Sequence, residues 1–497
     1  MKTEKMKNKK EFIYIVLTVL LSAWVGCIFF YHLGESGIQN TDEARHIVNA
    51  YEMMKSGNIW INTYRYATDY YNFKPPFSMW CIMLNFKIFG VSLFAARLYA
   101  AISMFLLYFV LLWFLWKKFS TVASLIFGIS FSCLTDMFFF HSARSADADA
   151  TFLLFYVISM LLIYLSEKNP KYFMWAGLSL SLAFMTKCFH IMSAFAVLVF
   201  YFPRLYKKLN IRHYAKFALL FLVPTGIWSV IRIHYDGFAF FAGMMGQEVT
   251  DRVKEGKDYF GYLRYLIRYP VMVLCLLVFV ICIISFFVSL RRRQKKMTLL
   301  ETVKAIINDE SYLFALWAVI SFGIYSASGA FMEWYSYVFL IPICIILAIK
   351  LPEFFTSRTG RVLGVVMVAA LIICFCLQVQ KTVWNLKTLK YECNVDLRAD
   401  LQALAGERPD LYGARLYIEN SRQEYKLQDE WEQNSIADAY LTGDFEPVDG
   451  GVPLFVDDQD ALLIISKDLF PQYADILSGR VILVDGNDYL VFCNEFY

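Results

Sequence analysis

Long apolar runs alternate with short polar segments between residue 12 and about residue 380 of the chain. Each run approaches the roughly 20 residues that an α-helix needs to cross the hydrocarbon core of a bilayer. The alternation predicts eleven membrane spans, at residues 12–33, 92–116, 119–140, 150–167, 172–187, 189–203, 214–235, 266–290, 312–330, 335–350 and 362–379.

The basic residues between these runs predict the orientation. With eleven spans, the clusters at the N-terminus, WKKF, SEKNPK, RLYKKLNIRH, RRRQKK and KLPEFFTSRTGR all fall on one side. The positive-inside rule identifies that side as the cytoplasm. The first apolar run is too long for a signal-peptide core. We therefore expect an uncleaved first span, a cytoplasmic N-terminus and a multi-pass protein of the plasma (inner) membrane.

One apolar segment is too short to be a span. FSMWCIMLNFKIFG has about 14 residues, which cannot cross ~30 Å of hydrocarbon. Pro75 and Pro76 suit a helix start and Gly90 suits its end. We expect a helix at the outer interface, inside a long first outer loop at 34–91.

The same loop contains an amphipathic segment, TDEARHIVNAYEMMKSG. Thr41 suits the N-cap of a helix and Gly57 suits its end. One face of this helix is apolar, comprising Ala44, Ile47, Val48, Tyr51 and Met54. This pattern predicts a helix that lies on the membrane surface.

The composition changes near residue 391, where charged residues and turn signals appear and no further span follows. ARLYIE, PLFV, ALLIIS and RVILVDGNDYLVFC are typical of strands, the last with a hairpin turn at DGND. SIADAYLTG and DLFPQYADILSG suit helices. We predict two domains: a transmembrane domain at 1–390 and a small α/β domain at 391–497, outside the membrane. A disulfide between Cys393 and Cys493 is one arrangement that this location allows.

Composition agrees with a polytopic α-helical membrane protein, since 58% of the residues are hydrophobic and only 18% are charged. The formal charge of +4 is too small to indicate nucleic-acid binding. No CxxC or Cys/His zinc spacing occurs.

Several charges fall at the outer ends of the predicted spans, where ionisable residues suggest a functional site. They are Asp42, Glu43, Lys74, Arg144, Asp147, Asp149, Lys187, Glu248 and Arg252. Simpler explanations exist for each alone. The acids at 42 and 43 could complement a helix dipole. Lys74 could snorkel, Arg144 could form a structural ion pair, and Lys187 could be an interfacial anchor. His141 could be a hydrogen-bonded interface histidine.

The combination indicates a chemistry. Carboxylates can accept a proton from a hydroxyl or bind a divalent cation. Cations suit a phosphate, and apolar surroundings suit a lipid tail. Transfer of a sugar from a polyprenyl-phosphate carrier to a hydroxyl would use all three.

These residues lie in stretches that resemble a known family. NTDEARHIVNAYEMMKSGN, YYNFKPPFSMWCIMLNFKIFGVSLFAARL, HSARSADADATFLLF, LAFMTKC and EWYSYVFLIP are similar to segments of the type C membrane glycosyltransferases. That superfamily includes the protein O-mannosyltransferases and the lipid A aminoarabinose transferases. An acidic pair followed about 30 residues later by an aromatic-rich KPP is the specific part of the resemblance.

The resemblance implies roles for individual residues. Asp42 would be the catalytic base beside Glu43, and Lys74 would contact the carrier phosphate. Asp149 would be the second-loop acid, with Asp147 a close competitor. Lys187, next to Thr186, would belong to the family's TK motif.

Further residues complete the expected site. Arg144 and Lys187 join Lys74 as candidates for binding the donor phosphate. The candidate pocket residues are Tyr70, Tyr71, His141, Glu248, Arg252, Trp334 and Tyr335. A metal is not required by the pattern, and a divalent cation, if used, would lie at Asp42, Glu43 and Asp149. The chain departs from its relatives at Glu333, where a lysine often precedes the aromatic pair.

The sequence thus predicts an inverting glycosyltransferase, hexosyl or pentosyl, that uses a polyprenyl-phosphate sugar in the cell envelope. Its acceptor would be a hydroxyl of a lipid, glycan or protein. A lipid or polysaccharide transporter is the alternative, although paired repeats and midplane charges are not visible. A structural or assembly protein ranks third because it leaves the outer charges unexplained.

Overall fold

The structure is a computed structural model of the chain. It describes residues 2–251, 257–292, 298–356, 358–388, 397–419 and 430–496. Long helices make up most of this part of the chain, and a small sheet lies near its C-terminal end.

The membrane region consists mainly of apolar helices, joined by short turns and by two long loops. They are α1 (Lys2–Phe30), α4 (Leu93–Lys118), α5 (Thr121–Ser132), α6 (Thr135–Phe139), α7 (Asp149–Ser166), α8 (Lys171–Lys187), α9 (Met192–Leu205), α10 (Ile211–Asp236), α13 (Pro270–Arg292), α14 (Leu299–Ile307), α15 (Tyr312–Ser328), α16 (Tyr337–Lys350) and α17 (Arg358–Thr388). The third long loop contains α11 (Ala239–Met245), a π-helical turn at Gly246–Asp251, and α12 (Gly261–Arg268).

In the described ranges, seven helices are long and apolar enough to cross a membrane, or nine if each of two sharply bent pairs forms one span. The predicted count of eleven is not confirmed. Two expected spans, 172–187 and 189–203, lie in one apolar stretch, Lys171–Leu205, with a 3₁₀ turn at Cys188–Ile191. The expected span 119–140 contains only the 12-residue α5 and the five-residue α6.

The first long loop folds into α2 (Thr41–Ser56), a hairpin of β1 (Thr63–Tyr64) and β2 (Ala67–Thr68), and α3 (Phe77–Phe89). The short helix predicted after the two prolines is confirmed, and its 13 residues end at Gly90. Gly57 ends α2 in the left-handed conformation, as expected. The N-cap is Asn40 rather than Thr41, because the Asn40 side chain accepts a hydrogen bond from the Glu43 backbone N–H.

Burial of α2 differs from the prediction. Four residues of the expected apolar face are buried and Met54 is half-buried, but the polar residues Glu43, Arg45, His46, Asn49 and Glu52 are buried as well. The helix does not lie on the membrane surface with its polar side in water. It is enclosed, because the C-terminal part of the chain packs against it through α19 (Glu430–Leu441).

The C-terminal part forms a five-stranded sheet with the order β4-β3-β5-β7-β6. Its elements are α18 (Leu397–Glu407), β3 (Arg415–Glu419), α19, β4 (Glu446–Pro447), α20 (Val452–Phe455), β5 (Ala461–Ser466), α21 (Phe470–Leu477), β6 (Arg480–Asp485) and β7 (Tyr489–Phe496). Strands β4, β3 and β5 are parallel, whereas β7 pairs antiparallel with β5 and β6. Side chains alternate along β5, so that Leu462 and Ile464 enter one core and Leu463 and Ile465 the other.

Most of the elements predicted for this α/β domain are confirmed, including the hairpin that turns at DGND. PLFV was expected to be a strand, but it forms helix α20. Pro453 has no N–H to donate to a sheet and fits the first turn of a helix, which explains the difference. The predicted domain boundary at 391 and Cys393 lie outside the described residues, so the disulfide stays a prediction.

Candidate active site

Three segments bring the predicted charges together at one end of the membrane helices. They are the N-terminus of α2, the turn before α3, and the loop before α7. Asn40 joins two of them, since it caps α2 and its side-chain amide donates a hydrogen bond to Asp147 (3.1 Å). The side-chain amide of Gln39 donates to the carbonyl oxygen of Arg144 (3.2 Å) and ties the same loop to the same helix end.

Lys74 and Asp42 form the central contact of the site. The Lys74 Nζ lies 3.2 Å from Asp42 Oδ2, with side-chain exposures of 11% and 39%. Pro75 and Pro76 follow the lysine directly, and each ring fixes the backbone φ, which holds the turn in place. Burial raises the pKa of the Asp42 carboxyl group. The positive charge of Lys74, with two histidines behind it, lowers the pKa by more, so that it is about 2. Asp42 is therefore an ionised, partly accessible carboxylate.

Asp147 lies directly behind Asp42 and is fully buried. One of its carboxylate oxygens is 3.0 Å from His141 Nδ1, and the other is 3.7 Å from His46 Nδ1. Ser145 also donates a hydrogen bond to it (2.8 Å). Burial lowers the pKa of His141, but Asp147 raises it by more, so the imidazole pKa is above its ordinary value. Burial raises the pKa of Asp147, yet His141 and His46 hold it well below its usual range.

The geometry brings together one set of potential metal ligands. Ligand atoms of Asp42, His141 and Asp147 lie within 4.8 Å of one another. Carboxylate oxygens and an imidazole nitrogen suit several divalent metals. This set differs from the expected Asp42, Glu43 and Asp149. Lys74 and His141 already stand against the two carboxylates, so the cluster carries its own compensating positive charge.

Asp149 begins α7 and points to Lys187, not to Asp42. The Lys187 Nζ lies 2.5 Å from Asp149 Oδ1, and both side chains are buried. The same ammonium group lies 4.8 Å from the ring centre of Tyr335. The TK motif, Thr186 and Lys187, therefore lies at the C-terminal end of α8, where Asp149 balances the charge of Lys187.

Glu43 forms an ion pair with a residue that no sequence pattern indicated. Arg97 of α4 binds both of its carboxylate oxygens, at 2.7 Å and 2.9 Å, and both side chains are fully buried. Glu43 also accepts the backbone N–H groups of Ala146 and Gln39, each at 2.7 Å. The carboxylate therefore joins α2, α4 and the loop before α7, and it does not face the accessible part of the site.

Arg144 is likewise used within the fold. It is fully buried, and its guanidinium donates to the backbone carbonyls of Ile28, Tyr31 and His32. These are carbonyls at the C-terminal end of α1, which a helix leaves without internal partners. The expected contact of Arg144 with a donor phosphate stays a prediction.

A second buried network supports the segment before Lys74. Arg45 Nη1 lies 3.1 Å from Asp69 Oδ1, and the guanidinium carbon lies 4.1 Å from the ring centre of Tyr71. Asp69 also accepts the backbone N–H of Tyr71 (2.8 Å) and of Asn72 (3.1 Å). This network was not predicted from the sequence. The sequence feature that could have indicated it is the pair of polar residues at 45 and 49, one turn apart on the side of α2 opposite to the apolar face.

The remaining predicted pocket residues are distributed unevenly. Trp334 stacks on His141 with ring centres 3.8 Å apart, and Tyr335 covers Lys187, so both belong to the site. Tyr70 is 40% exposed and points toward Asp236 at the end of α10. Glu248 lies in the π-helical turn, where only its backbone is described. Arg252 lies outside the described residues. Glu333, the departure from the family pattern, is 3.6 Å from Arg268.

An apolar cavity of about 210 Å³ lies between the membrane helices. Its walls come from α12, α13, α15 and α16, including Leu266, Phe279, Phe322 and Ile346. The ring centre of Tyr325 in α15 lies 6.3 Å from that of Tyr262 in α12 and 5.6 Å from that of Tyr335.

Comparison with known proteins gives consistent results. The family model for dolichyl-phosphate-mannose-protein mannosyltransferase matches residues 73–228, from the turn before Lys74 into α10. An uncharacterized protein of Aquifex aeolicus (strain VF5) is 28% identical over 242 residues, 46% of this chain and 45% of that protein. An undecaprenyl phosphate-alpha-4-amino-4-deoxy-L-arabinose arabinosyl transferase of Pseudomonas savastanoi pv. phaseolicola (strain 1448A / Race 6) is 23% identical over 362 residues, 70% of this chain and 63% of that protein.

The fold is shared over nearly the whole chain. The crystal structure of ArnT from Cupriavidus metallidurans bound to undecaprenyl phosphate superposes with a TM-score of 0.67 at 16% identity, covering 96% of this chain and 98% of that one. In sequence, the matched part spans less than two thirds of the length of either relative above. The family match, the relatives and the shared fold together support a resemblance of this chain to the type C membrane glycosyltransferases, the superfamily of the protein O-mannosyltransferases and lipid A aminoarabinose transferases.

Proposed function

We propose that the protein transfers a sugar from a polyprenyl-phosphate carrier to a hydroxyl of a lipid, glycan or protein. The observation that carries the proposal is the contact between Lys74 and Asp42. It places a cation for a phosphate and a base for a hydroxyl within one partly open site. The similarity to the type C family and the apolar cavity between the membrane helices support a lipid-linked donor.

Lys74 is the proposed ligand of the donor phosphate. It is the cation of the cluster that contacts a partly exposed carboxylate, whereas Lys187 is buried against Asp149 and Arg144 against the end of α1. The phosphate leaves with a negative charge that needs stabilisation in the transition state. The ammonium group of Lys74 near the leaving oxygen supplies this stabilisation. Lys187 contributes a weaker electrostatic stabilisation.

Asp42 is the proposed base. The acceptor oxygen attacks the anomeric carbon from the face opposite to the phosphate, and its proton passes to Asp42. The bond between the anomeric carbon and the phosphate oxygen breaks, and the electron pair stays on the phosphate. The configuration at the anomeric carbon is thereby inverted. A phosphate bound to Lys74 would weaken the hold of the ammonium on Asp42 and make the carboxylate more basic when the donor is present.

The surrounding residues have supporting roles in this proposal. Asp147 and His141 lie behind Asp42, and Trp334 stacks on the histidine and closes one wall. Tyr71, held by Arg45, lies on the segment that leads to Lys74. We assign Asp149 to the orientation of Lys187. Transfer would occur on the outer face of the plasma membrane, with the N-terminus in the cytoplasm and the C-terminal domain outside.

A deletion strain tests the proposal. We expect its envelope to lack one sugar modification and to accumulate a polyprenyl-phosphate sugar, detected by mass spectrometry of the lipids and glycans. Wild-type protein should restore the normal pattern, whereas Asp42→Asn should not. A strain whose envelope glycans and carrier lipids are unchanged would contradict the proposal.

A transporter is the second candidate, since the chain has many spans and buried charges. Purified protein in detergent separates the two functions, because detergent leaves no compartments to transport between. Transfer of the accumulated sugar to acceptor in detergent supports the enzyme. Its absence, with movement of the lipid between leaflets of vesicles, would support the transporter.

A further inference from the structure

Glu52 is a fully buried carboxyl group in the third turn of α2, away from the site. The Tyr440 hydroxyl of α19 lies 2.9 Å from one of its oxygens, and the backbone N–H of Tyr66 donates to the other at 2.8 Å. The Glu52 side chain thus contacts both the C-terminal domain and the first loop. Burying a carboxyl group costs free energy unless its bonds are satisfied, so this position calls for an explanation.

The loop side of this contact is a strained turn. Arg65 and Tyr66 connect β1 to β2 with φ of 53° and 59°, a conformation that non-glycine residues rarely adopt. Such a turn persists where its surroundings hold it. Glu52 holds the Tyr66 backbone, and the Tyr66 hydroxyl donates to the carbonyl oxygen of Pro447 in β4 (3.0 Å).

The turn leads directly to the donor side of the site. Strand β2 ends at Thr68, and Asp69 follows with its bonds to Arg45, Tyr71 and Asn72. Lys74 comes two residues after Asn72. The other segment is α2, the helix that contains Glu52 itself, and it has Asp42 in its first turn. Glu52 therefore joins both segments that supply the Lys74–Asp42 pair.

We propose that Glu52 is a positioning residue through which the C-terminal domain sets the placement of Lys74 relative to Asp42. The inference rests on the proposed function, in which Lys74 binds a lipid phosphate. The C-terminal domain is then part of the scaffold of the active site. Its docking surface on the first loop consists of Glu52, Tyr66 and Tyr51, whose ring lies 4.7 Å from that of Tyr440.

The protonation state of Glu52 suggests how to test this. Burial raises the pKa of Glu52 to about 7, against the opposing hydrogen bonds from the Tyr66 backbone, the Thr63 side chain, the Tyr440 side chain and the Arg65 backbone. The ionisable side chains facing it are Tyr66 and Tyr440. A protonated carboxyl accepts the Tyr66 N–H with one oxygen and donates to Tyr440 with the other. Glutamine reproduces this pattern with its carbonyl oxygen and its amide.

The experiment measures binding of undecaprenyl phosphate to the full-length protein in detergent at pH 6. We expect Glu52→Ala to weaken binding by about tenfold or more, as losing a buried hydrogen-bonded group does. Glu52→Gln should bind within about twofold of wild type. Glu446→Gln is the matched control, because Glu446 forms an exposed ion pair with Lys55 across the same interface. It should bind as wild type does.

A pH series adds a measurement that a purely structural role would not change. Above pH 7 the wild-type Glu52 ionises in its buried position and loosens the interface. Binding by wild type should therefore fall relative to Glu52→Gln as pH rises from 6 to 8. Parallel curves for the two proteins would contradict the proposal.

The outcomes separate this inference from the function on which it rests. If wild type does not bind undecaprenyl phosphate at all, the proposed function fails. If wild type binds and a folded Glu52→Ala protein binds equally well, the positioning role fails. If Glu52→Ala does not fold, Tyr440→Phe removes the hydroxyl alone and should still weaken binding, while unchanged binding by Tyr440→Phe would overturn the inference.

Discussion

The ammonium group of Lys74 lies 3.2 Å from a carboxylate oxygen of Asp42, although 31 residues of chain lie between the two. The two prolines that follow the lysine and the Asn40 cap before the aspartate hold the two segments in place. The Lys74 ammonium keeps the Asp42 carboxylate ionised, so the partly exposed site has a charged base beside its cation.

Replacement of Lys74 by alanine tests the phosphate contact. We expect binding of undecaprenyl phosphate to weaken by about tenfold to a hundredfold, since a charge-assisted hydrogen bond contributes about 1.5–3 kcal/mol. Lys55→Ala, at the other end of α2, is the control and should have no effect on binding. Equal affinity of Lys74→Ala and wild type would exclude the assigned role.

Replacement of Asp42 by asparagine tests the base. We expect the transfer rate to fall by about 100-fold or more, because general-base catalysis typically contributes 10²–10⁴-fold. Carrier-lipid binding should be retained, since Lys74 remains. The rate is measured in detergent with the carrier lipid that accumulates in the deletion strain. Normal turnover by Asp42→Asn would move the base to another residue, with Asp147 the nearest carboxylate.

The low pKa of Asp42 gives the site a pH dependence. The carboxylate is ionised above pH 2 because Lys74 compensates it. Removing the ammonium leaves burial, which raises the pKa. In Lys74→Gln we therefore expect the acid limb of the rate profile to move to higher pH than in wild type. An acid limb at the same pH in both proteins would show that another group controls it.

Charge balance in the cluster predicts independence from metal. Two carboxylates, Asp42 and Asp147, already face Lys74 and His141. A divalent cation would add charge to a balanced set and compete with the lysine. We expect transfer to continue after extensive treatment with EDTA. Loss of activity that Mn²⁺ or Mg²⁺ restores would assign these residues to a metal site instead.

The buried Glu43–Arg97 ion pair leads to a prediction about the free energy of unfolding. Arg97→Met should lower the free energy of unfolding by about 3–5 kcal/mol, because it leaves a buried carboxylate without its partner. The double replacement Glu43→Gln with Arg97→Met should recover part of this loss. Thermal unfolding of the detergent-solubilised protein measures both. Arg264→Met, which removes an exposed pair, is the control and should change little.

Sequence reasoning found the residues that stand out against their surroundings. Asp42, Lys74, Asp149 and Lys187 are charges next to apolar runs, and the structure places all four at one end of the helices. The short helix after the two prolines was also predicted, because its length alone decides that it does not cross the membrane.

Pairing was much harder to predict, because partners in space are distant in sequence. Arg97 is 54 residues from Glu43, and Asp69 is 24 residues from Arg45. No local pattern shows such a pair. The acceptors of Arg144, which are backbone carbonyls at the end of α1, could not be predicted from the sequence for the same reason. The burial of the polar side of α2 depends on α19, almost 400 residues further along the chain.

That distance has a consequence for the time at which activity begins. Glu52 and Tyr440 are separated by 388 residues, which a ribosome adds in roughly 20 to 80 s at 5–20 residues per second. During this interval the first loop has emerged, but the surface that covers α2 has not been made. A newly inserted chain therefore contains its lysine and its aspartate long before the domain that holds them in place. On the proposed role of Glu52, we expect activity only after the segment that contains Tyr440 has been synthesised and has docked on α2.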